Sequence, residues 1–272
     1  MTIERQTFYK PEDILKDVKR KVDEAASRKE RVDYLTFVPD GEPTLDLNLG
    51  REISLLQQIG IPIAVLTNAS MIWCDDVKED LLKADFVSLK VDAVSEDLWK
   101  QVNKPHKDLK LDAILDGISN LVKICKGKVV SETMLIDGIS YEDEAERIAE
   151  FLKNLERLDK AYIAVPTRPP AKKGVKPVSE ETINAAFQVF SEKLGANKVE
   201  CLIGYEGNAF AFTGNLEEDL LSITAVHPMR EEAVKALLKK ANADWSIIER
   251  LLQEKELKEL EYEGHLYYMR KL

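Results

Sequence analysis

The sequence predicts an α/β protein whose parallel strands curl toward a barrel, followed by a smaller helical tail. Three observations lead there. Apolar strand-like runs alternate with helical stretches as far as about residue 204, an order that implies parallel strands joined by helical crossovers. In Phe86-Val87-Ser88-Leu89-Lys90-Val91-Asp92, the residues Val87, Leu89 and Val91 share one face while Ser88, Lys90 and Asp92 share the other. Strands of an open parallel sheet are covered on both faces and read apolar throughout, so a polar face points to a barrel lumen. Finally, Asp40 to Glu42, Thr67-Asn68, Asp137 and Thr167-Arg168 all follow directly on strands. In a β/α barrel the active site forms at those C-terminal strand ends.

The elements follow in order. Ile14, Leu15, Val18, Val22 and Ala25 keep helical spacing between Pro11 and Lys29, after a Lys-Pro-Glu-Asp start suited to a helix N-terminus. Tyr34 to Val38 is a strand of β-branched and aromatic residues, stopped by Pro39, Gly41 and Pro43. Further strands are expected at 61–67, 85–91, 128–136, 160–165 and 198–204. Helices are expected at 50–59, 76–83, 95–102, 109–125, 142–157 and 179–194. Three prolines in Pro166-Thr167-Arg168-Pro169-Pro170 forbid a helix and hold Arg168 out stiffly. From residue 207 the pattern changes to helices at 216–226, 230–241 and 245–254 and a hairpin of 257–263 with 266–270, which suggests a winged helix. The domains predicted are therefore residues 1–206, the barrel, and 207–272, the winged-helix-like tail.

Charged residues make up 32% and hydrophobic ones 44% of 272 residues, the balance of a soluble globular protein. A net charge of -10 and a pI near 5.1 argue against broad electrostatic binding to nucleic acid or an anionic membrane. From Met229 to Leu272 nine Lys or Arg face nine Asp or Glu. A recognition helix approaching phosphates should be basic, so DNA is not an expected partner and the tail reads as a protein- or substrate-docking module. The N-terminus has no apolar signal region and no run is long enough to span a bilayer, so a cytoplasmic location without membrane contact is expected. Cys74, Cys125 and Cys201 lie far apart, which writes neither a disulfide framework nor a metal knuckle.

Glu42 on its rigid turn suits recognition of an ammonium or hydroxyl group; the same residues also read as an ordinary solvated loop. Lys90 could serve as a Schiff-base lysine if burial lowers its pKa, or could simply pair with Asp92 or Glu132. Arg168 could bind a carboxylate or phosphate of a substrate, or be solvated. No histidine pair has metal spacing, and neither a phosphate loop nor a nucleophile elbow occurs.

In this order the motifs resemble the radical S-adenosylmethionine (SAM) enzymes, in particular the Fe-S oxidoreductases related to the wyosine tRNA-modifying synthases. Thr36-Phe37-Val38-Pro39-Asp40-Gly41-Glu42-Pro43-Thr44 resembles the family's strand and Gly-Glu-Pro turn. Val65-Leu66-Thr67-Asn68-Ala69-Ser70 resembles its Thr-Asn-Gly-Ser strand end, with Ala69 where glycine is usual. Ser88-Leu89-Lys90-Val91-Asp92-Ala93 and the following Asn103-Lys104-Pro105-His106 resemble the strand facing the cofactor and its sequel. The resemblance implies a partial (β/α)6 barrel, here lacking its first strand, that holds SAM and a 4Fe-4S cluster and forms a 5'-deoxyadenosyl radical. It implies SAM contacts from Asp40, Gly41, Glu42, Pro43, Thr67, Asn68, Ser88, Lys90 and Asp92, with Glu42 on the methionine amino group. It also implies an electron donor and a small-molecule or RNA substrate. The family's CxxxCxxC loop is absent, and three cysteines separated by about fifty and about seventy-five residues do not make that compact three-thiolate loop. A chain truncated upstream of Met1 is the expectation, inactive as it stands and without metal ligands of its own. The alternative is a cluster-free metabolite or nucleoside binding protein that signals through its tail.

Overall fold

A computed structural model describes residues 2–38, 41–170, 174–204, 207–208, 210 and 212–271. The chain groups into two compact units, one of Met1–Lys16, Asp33–Pro166 and Val175–Ile203 and one of Asp17–Val32, Thr167–Gly174 and Gly204–Leu272. Helix α1 (Pro11–Ser27) therefore contributes residues to both.

The first unit continues with β1 (Leu35–Phe37), α2 (Leu49–Leu56), β2 (Ile63–Thr67), α3 (Asp75–Leu81), β3 (Phe86–Lys90), α4 (Glu96–Asn103) and α5 (Leu111–Ile124). It ends with β4 (Lys128–Met134), α6 (Glu142–Lys153), β5 (Lys160–Ala164), α7 (Glu180–Leu194) and β6 (Val199–Leu202). The six strands are all parallel and lie in sequential order. That order decides between the two parallel architectures. A doubly wound sheet reverses strand order at a switch point, whereas right-handed crossovers along an unreversed order place every helix on one face.

Burial along the strands agrees. Ile63, Val65, Val87, Leu89, Val129, Ala161, Ile163 and Val199 are buried and share one face. Their neighbours point the other way, and there Leu66, Lys90, Glu132 and Tyr162 are half-buried while Thr36, Glu200 and Leu202 are exposed. The first face is a core against helices; the second is the concave, polar side of a partial barrel. β1 and β6 are the two edges of the sheet among the described residues.

Several expected elements end early, and for two the cause is visible. The strand from Lys128 stops at Met134 because Ile136 leaves the parallel ladder to bridge Pro177 in antiparallel fashion. The helix from Glu142 stops at Lys153, where the Asn154 N–H bonds to Glu150 O and Phe151 O and the chain turns to bury Leu155 and Leu158. Within α6, buried Glu144 accepts the Val94 and Ser95 amides at 2.6 and 2.8 Å, satisfying donors that the start of α4 leaves unpaired. Gly117 in α5 is required by close packing, since a Cβ there would stand 2.7 Å from the Ile72 carbonyl oxygen.

The second unit contains α8 (Leu216–Val226), β7 (Met229–Arg230), α9 (Glu231–Lys240), α10 (Ser246–Gln253), β8 (Leu257–Tyr262) and β9 (His265–Arg270). β7, β9 and β8 form an antiparallel sheet in that order. The sequence shows the hairpin but not β7, which is two residues long and too short for a periodicity to register. Leu220, Met229, Val234, Leu237, Ile248 and Leu251 form the centre of its core. Asp219, 4% exposed, accepts from the Thr213 amide at 2.7 Å and from Lys21 Nζ at 3.2 Å. Among the described residues no helix is long and apolar enough to cross a membrane.

Candidate cofactor site at the strand ends

The turn after β1 is built around one buried carboxylate. Glu42 is 8% exposed and precedes a short 3-10 turn, Pro43–Leu45, in which Pro43 occupies a position that needs no N–H donor. Its Oε1 accepts from the Thr44 amide at 3.1 Å, from Thr44 Oγ1 at 2.7 Å and from Thr67 Oγ1. Oε2 accepts the Asn68 amide at 2.7 Å. Burial pushes the Glu42 carboxyl above its usual range, and these four donors pull against that shift. Glu42 thus braces the end of β1 to the end of β2 and keeps capacity on Oε2 for one further donor. Gly41 is exposed and Pro43 half-buried in the same turn, while Asp40 lies outside the described residues.

The end of β2 carries its own constraint. Thr67 shares the face of buried Leu89 and turns its hydroxyl back to Glu42, so it serves the turn and not the concave face. Asn68 is exposed, and its Oδ1 accepts the Ser70 amide at 2.8 Å. Between them Ala69, 1% exposed, has φ of 60°. A left-handed backbone costs an L-residue about 1 kcal/mol and a β-branched one more. Ala69→Gly is therefore expected to stay within about 1 kcal/mol of the parent, since relief of strain offsets lost chain stiffness, while Ala69→Val costs about 2 kcal/mol or more. Thermal melting of the pair checks this, and equal melting of the two variants would contradict the backbone reading.

β3 supplies the charged part. Ser88 is buried on the concave face, and Lys90 Nζ stands 2.9 Å from Glu132 Oε1 and 3.8 Å from Asp92 Oδ1. Burial alone would lower the Lys90 pKa, but Asp92 and Glu132 outweigh it and the ammonium titrates above the ordinary lysine value. A Schiff-base role needs the opposite shift, so the ion pair is the reading the structure supports. Asp92, 4% exposed, accepts the Met134 amide on Oδ1 at 2.8 Å and Asn103 Nδ2 on Oδ2 at 2.7 Å. Nearby, the Tyr141 hydroxyl accepts the Ile136 amide at 3.1 Å, and burial holds its pKa at about 12.

Strand register extends this charge pattern across the sheet: Lys90, Glu132, Tyr162 and Glu200 are Cα partners in one row. Tyr162 and Glu200 escaped the sequence reading. The alternation that identified Ser88, Lys90 and Asp92, applied to the strands at 160–164 and 199–202, would have found them. Arg168 is half-buried in the second unit, on the segment Thr167–Gly174.

Residues 2–163 match the model of the radical SAM superfamily. The chain belongs to the radical SAM superfamily. A UPF0026 protein of Methanocaldococcus jannaschii is 47% identical over 272 residues, all of this chain and 84% of that protein. A UPF0026 protein of Helicobacter pylori is 32% identical over 165 residues, 57% of this chain and 51% of that one. Among solved structures, TYW1 with a lysine-pyruvate adduct bound is similar with a TM-score of 0.52 at 17% identity, covering 70% of this chain and 65% of that chain. A radical SAM methyltransferase from Sphaerobacter thermophilus gives 0.50 at 18% identity, covering 73% and 59%. At such identities the likeness is one of fold.

Superfamily membership implies SAM and a 4Fe-4S cluster, and the two fare differently against these residues. The polar strand ends suit SAM, and beside them at the C-terminus of α4 the buried acceptor Asn103 Oδ1 has no protein partner. The cysteines do not suit the cluster. Cys74 precedes α3, Cys125 is buried at the C-terminus of α5 before β4 begins, and Cys201 lies within β6. Burial raises the pKa of all three thiols, which opposes the thiolate form that iron requires. Among the described residues no group of three or more His, Cys, Asp or Glu side chains is placed to hold a metal ion.

Proposed function

We propose that this chain is the SAM-binding barrel of a radical SAM enzyme of the Fe-S oxidoreductase type, with SAM seated at the C-terminal ends of β1, β2 and β3. The observation that carries the reading is the Glu42 brace, a buried carboxylate that fixes two strand ends in one geometry beside a charged, half-open face. SAM, when bound, supplies the adenosyl group that the superfamily turns to radical chemistry. The residues of this chain bind and orient it. Gly41 and Pro43 flank Glu42 in the turn, Glu42 Oε2 accepts from the amino group, and Asn68 and Ser88 line the approach. Protonated Lys90 attracts the carboxylate, and Asp92 holds the neighbouring amides.

On the concave face, Glu132, Tyr162 and Glu200 are the proposed substrate contacts; Arg168, in the second unit, is proposed separately as a substrate-binding residue. A small molecule or an RNA nucleoside is the substrate class. The tail, α8 to α10 with its antiparallel sheet, is read as a winged-helix-like docking module.

Calorimetric titration of the purified chain with SAM, without iron, tests the reading. Saturable binding that is lost in a Lys90→Met, Asp92→Asn double variant is expected. Absence of any heat beyond dilution for the folded parent would remove the SAM-binding role. Anaerobic addition of iron and sulfide is expected to leave this chain without a stable cluster chromophore, since its thiols are dispersed.

A further inference from the structure

Glu52 takes no part in the site at the strand ends, yet it stands behind the turn that holds Glu42. It lies on α2, is 2% exposed, and its Oε1 has no hydrogen-bond partner. Among the described residues Asp46, itself 8% exposed, supplies the charge that acts on it. Two buried carboxylates that feel each other do not both ionise without cost, so burial and Asp46 keep Glu52 protonated up to a pH of about 7. The other charged groups on the elements around α2 are committed elsewhere: Arg5 to Asp76 and Asp80, Lys83 to Asp80, Lys78 to Asp75, and Arg51 to Glu12.

Asp46 ties Glu52 to the ligand side. It closes the Pro43–Leu45 turn that Glu42 opens, its N–H donating to Pro43 O at 3.0 Å. Its Oδ1 accepts the Asn48 amide at 2.7 Å. Arg5 grips the same turn from the N-terminal segment, donating to Asp46 O and to Thr44 O at 2.9 Å each. Once Glu52 ionises, one of the two carboxylates must move. Glu52 is flanked on α2 by Leu49 and Ile53, 1% and 0% exposed, whereas Leu47 beside Asp46 is 53% exposed. Close-packed side chains resist displacement and sparsely packed segments open first, so the turn yields and the helix does not.

We infer that Glu52 is a proton sensor for the cofactor turn: neutral Glu52 leaves Asp46 and the turn ordered around Glu42, while ionised Glu52 repels Asp46, loosens the turn and weakens ligand binding. Glu52 and Asp46 are positioning residues, since both act through the turn. The link to ligand affinity rests on the SAM-binding reading above; the ordering of the turn does not.

Two readouts on the full chain at pH 6 and pH 8 test it, for the parent and for Glu52→Gln, whose side chain keeps the shape and cannot ionise. Calorimetry with SAM is the first. The parent affinity is expected to fall about five-fold or more relative to Glu52→Gln, since a site competent only while a group titrating near 7 is protonated loses about ten-fold by pH 8. Titration of the SAM amino group is common to both proteins and cancels. Amide hydrogen exchange of Thr44 and Asn68, the two amides that Glu42 accepts, is the second and needs no ligand. Their protection in the parent should fall by a similar factor against the variant. Should Glu52→Gln fail to fold, as circular dichroism would show, Asp46→Asn removes the repelling charge and should reduce both pH effects to within about two-fold. Parallel pH profiles of parent and variant in both readouts overturn the inference. Protection that responds while affinity does not overturns its link to the ligand. If SAM binds neither protein, the SAM reading falls and the exchange rates alone decide the sensor.

Discussion

Glu42→Ala is expected to lower the melting temperature of the barrel unit by roughly 6–12 °C. The substitution removes the acceptor of four hydrogen bonds and strands the Thr44 and Asn68 amides together with two hydroxyls, of which Thr44 and Thr67 are 1% and 5% exposed. Unpaired buried donors cost about 1–3 kcal/mol each; relief of the desolvated charge offsets part of that, leaving about 3 kcal/mol. At about 2–4 °C per kcal/mol for a unit of this size, the shift follows. Glu42→Gln keeps the shape but must turn an NH2 group toward either the Asn68 amide or the threonine donors, so it should fall between alanine and the parent. Melting followed by circular dichroism, with SAM affinity measured alongside, checks the order. A variant that melts with the parent would show that the turn is held by something other than this carboxylate.

Glu52→Met is expected to change how stability depends on pH. Glu52 is 2% exposed on α2, and its Oε1 has no hydrogen-bond partner. Burial, with Asp46 adding its charge, moves its pKa from 4.5 to about 7. For an acid whose folded pKa is raised, the native state binds the proton more tightly. The stabilisation is complete below the unfolded pKa of 4.5 and is lost as pH rises through about 7. That shift corresponds to about 3 kcal/mol at most. The parent should therefore lose up to roughly 6–12 °C of melting temperature between pH 5 and pH 8 relative to Glu52→Met, which has no such proton to release. Melting curves at the two pH values decide it, and parallel pH profiles for parent and variant would refute the assignment.

Much of the barrel could be read from the chain because its signals are local. The alternation from Phe86 onward and the Glu42-Pro43 pair act over a few residues, and Phe86–Lys90 forms β3 while Glu42 and Pro43 begin the braced turn in the structure. What escaped depends on register between distant segments. Tyr162 and Glu200 become neighbours of Glu132 only through the pairing of β4, β5 and β6. β7 exists only because Met229 and Arg230 meet Tyr268 and Tyr267. Likewise, a polar residue at a strand end such as Thr67 reads as a ligand contact, whereas its hydroxyl donates to a carboxylate on the turn after β1. The unpaired oxygen of Asn103 could be seen only after the amide's other end had found Asp92.

The unreversed strand order separates two kinds of evolutionary freedom. One face of the sheet carries Ile63, Val65, Val87, Leu89 and Val129 against the helices, where a lost methylene group leaves a void and changes are held back by packing. On the opposite face Lys90 pairs with Glu132, while Tyr162 is half-buried and Glu200 exposed. A lineage can therefore rewrite Tyr162 and Glu200 to suit a new substrate while the Lys90–Glu132 pair and the barrel beneath stay as they are.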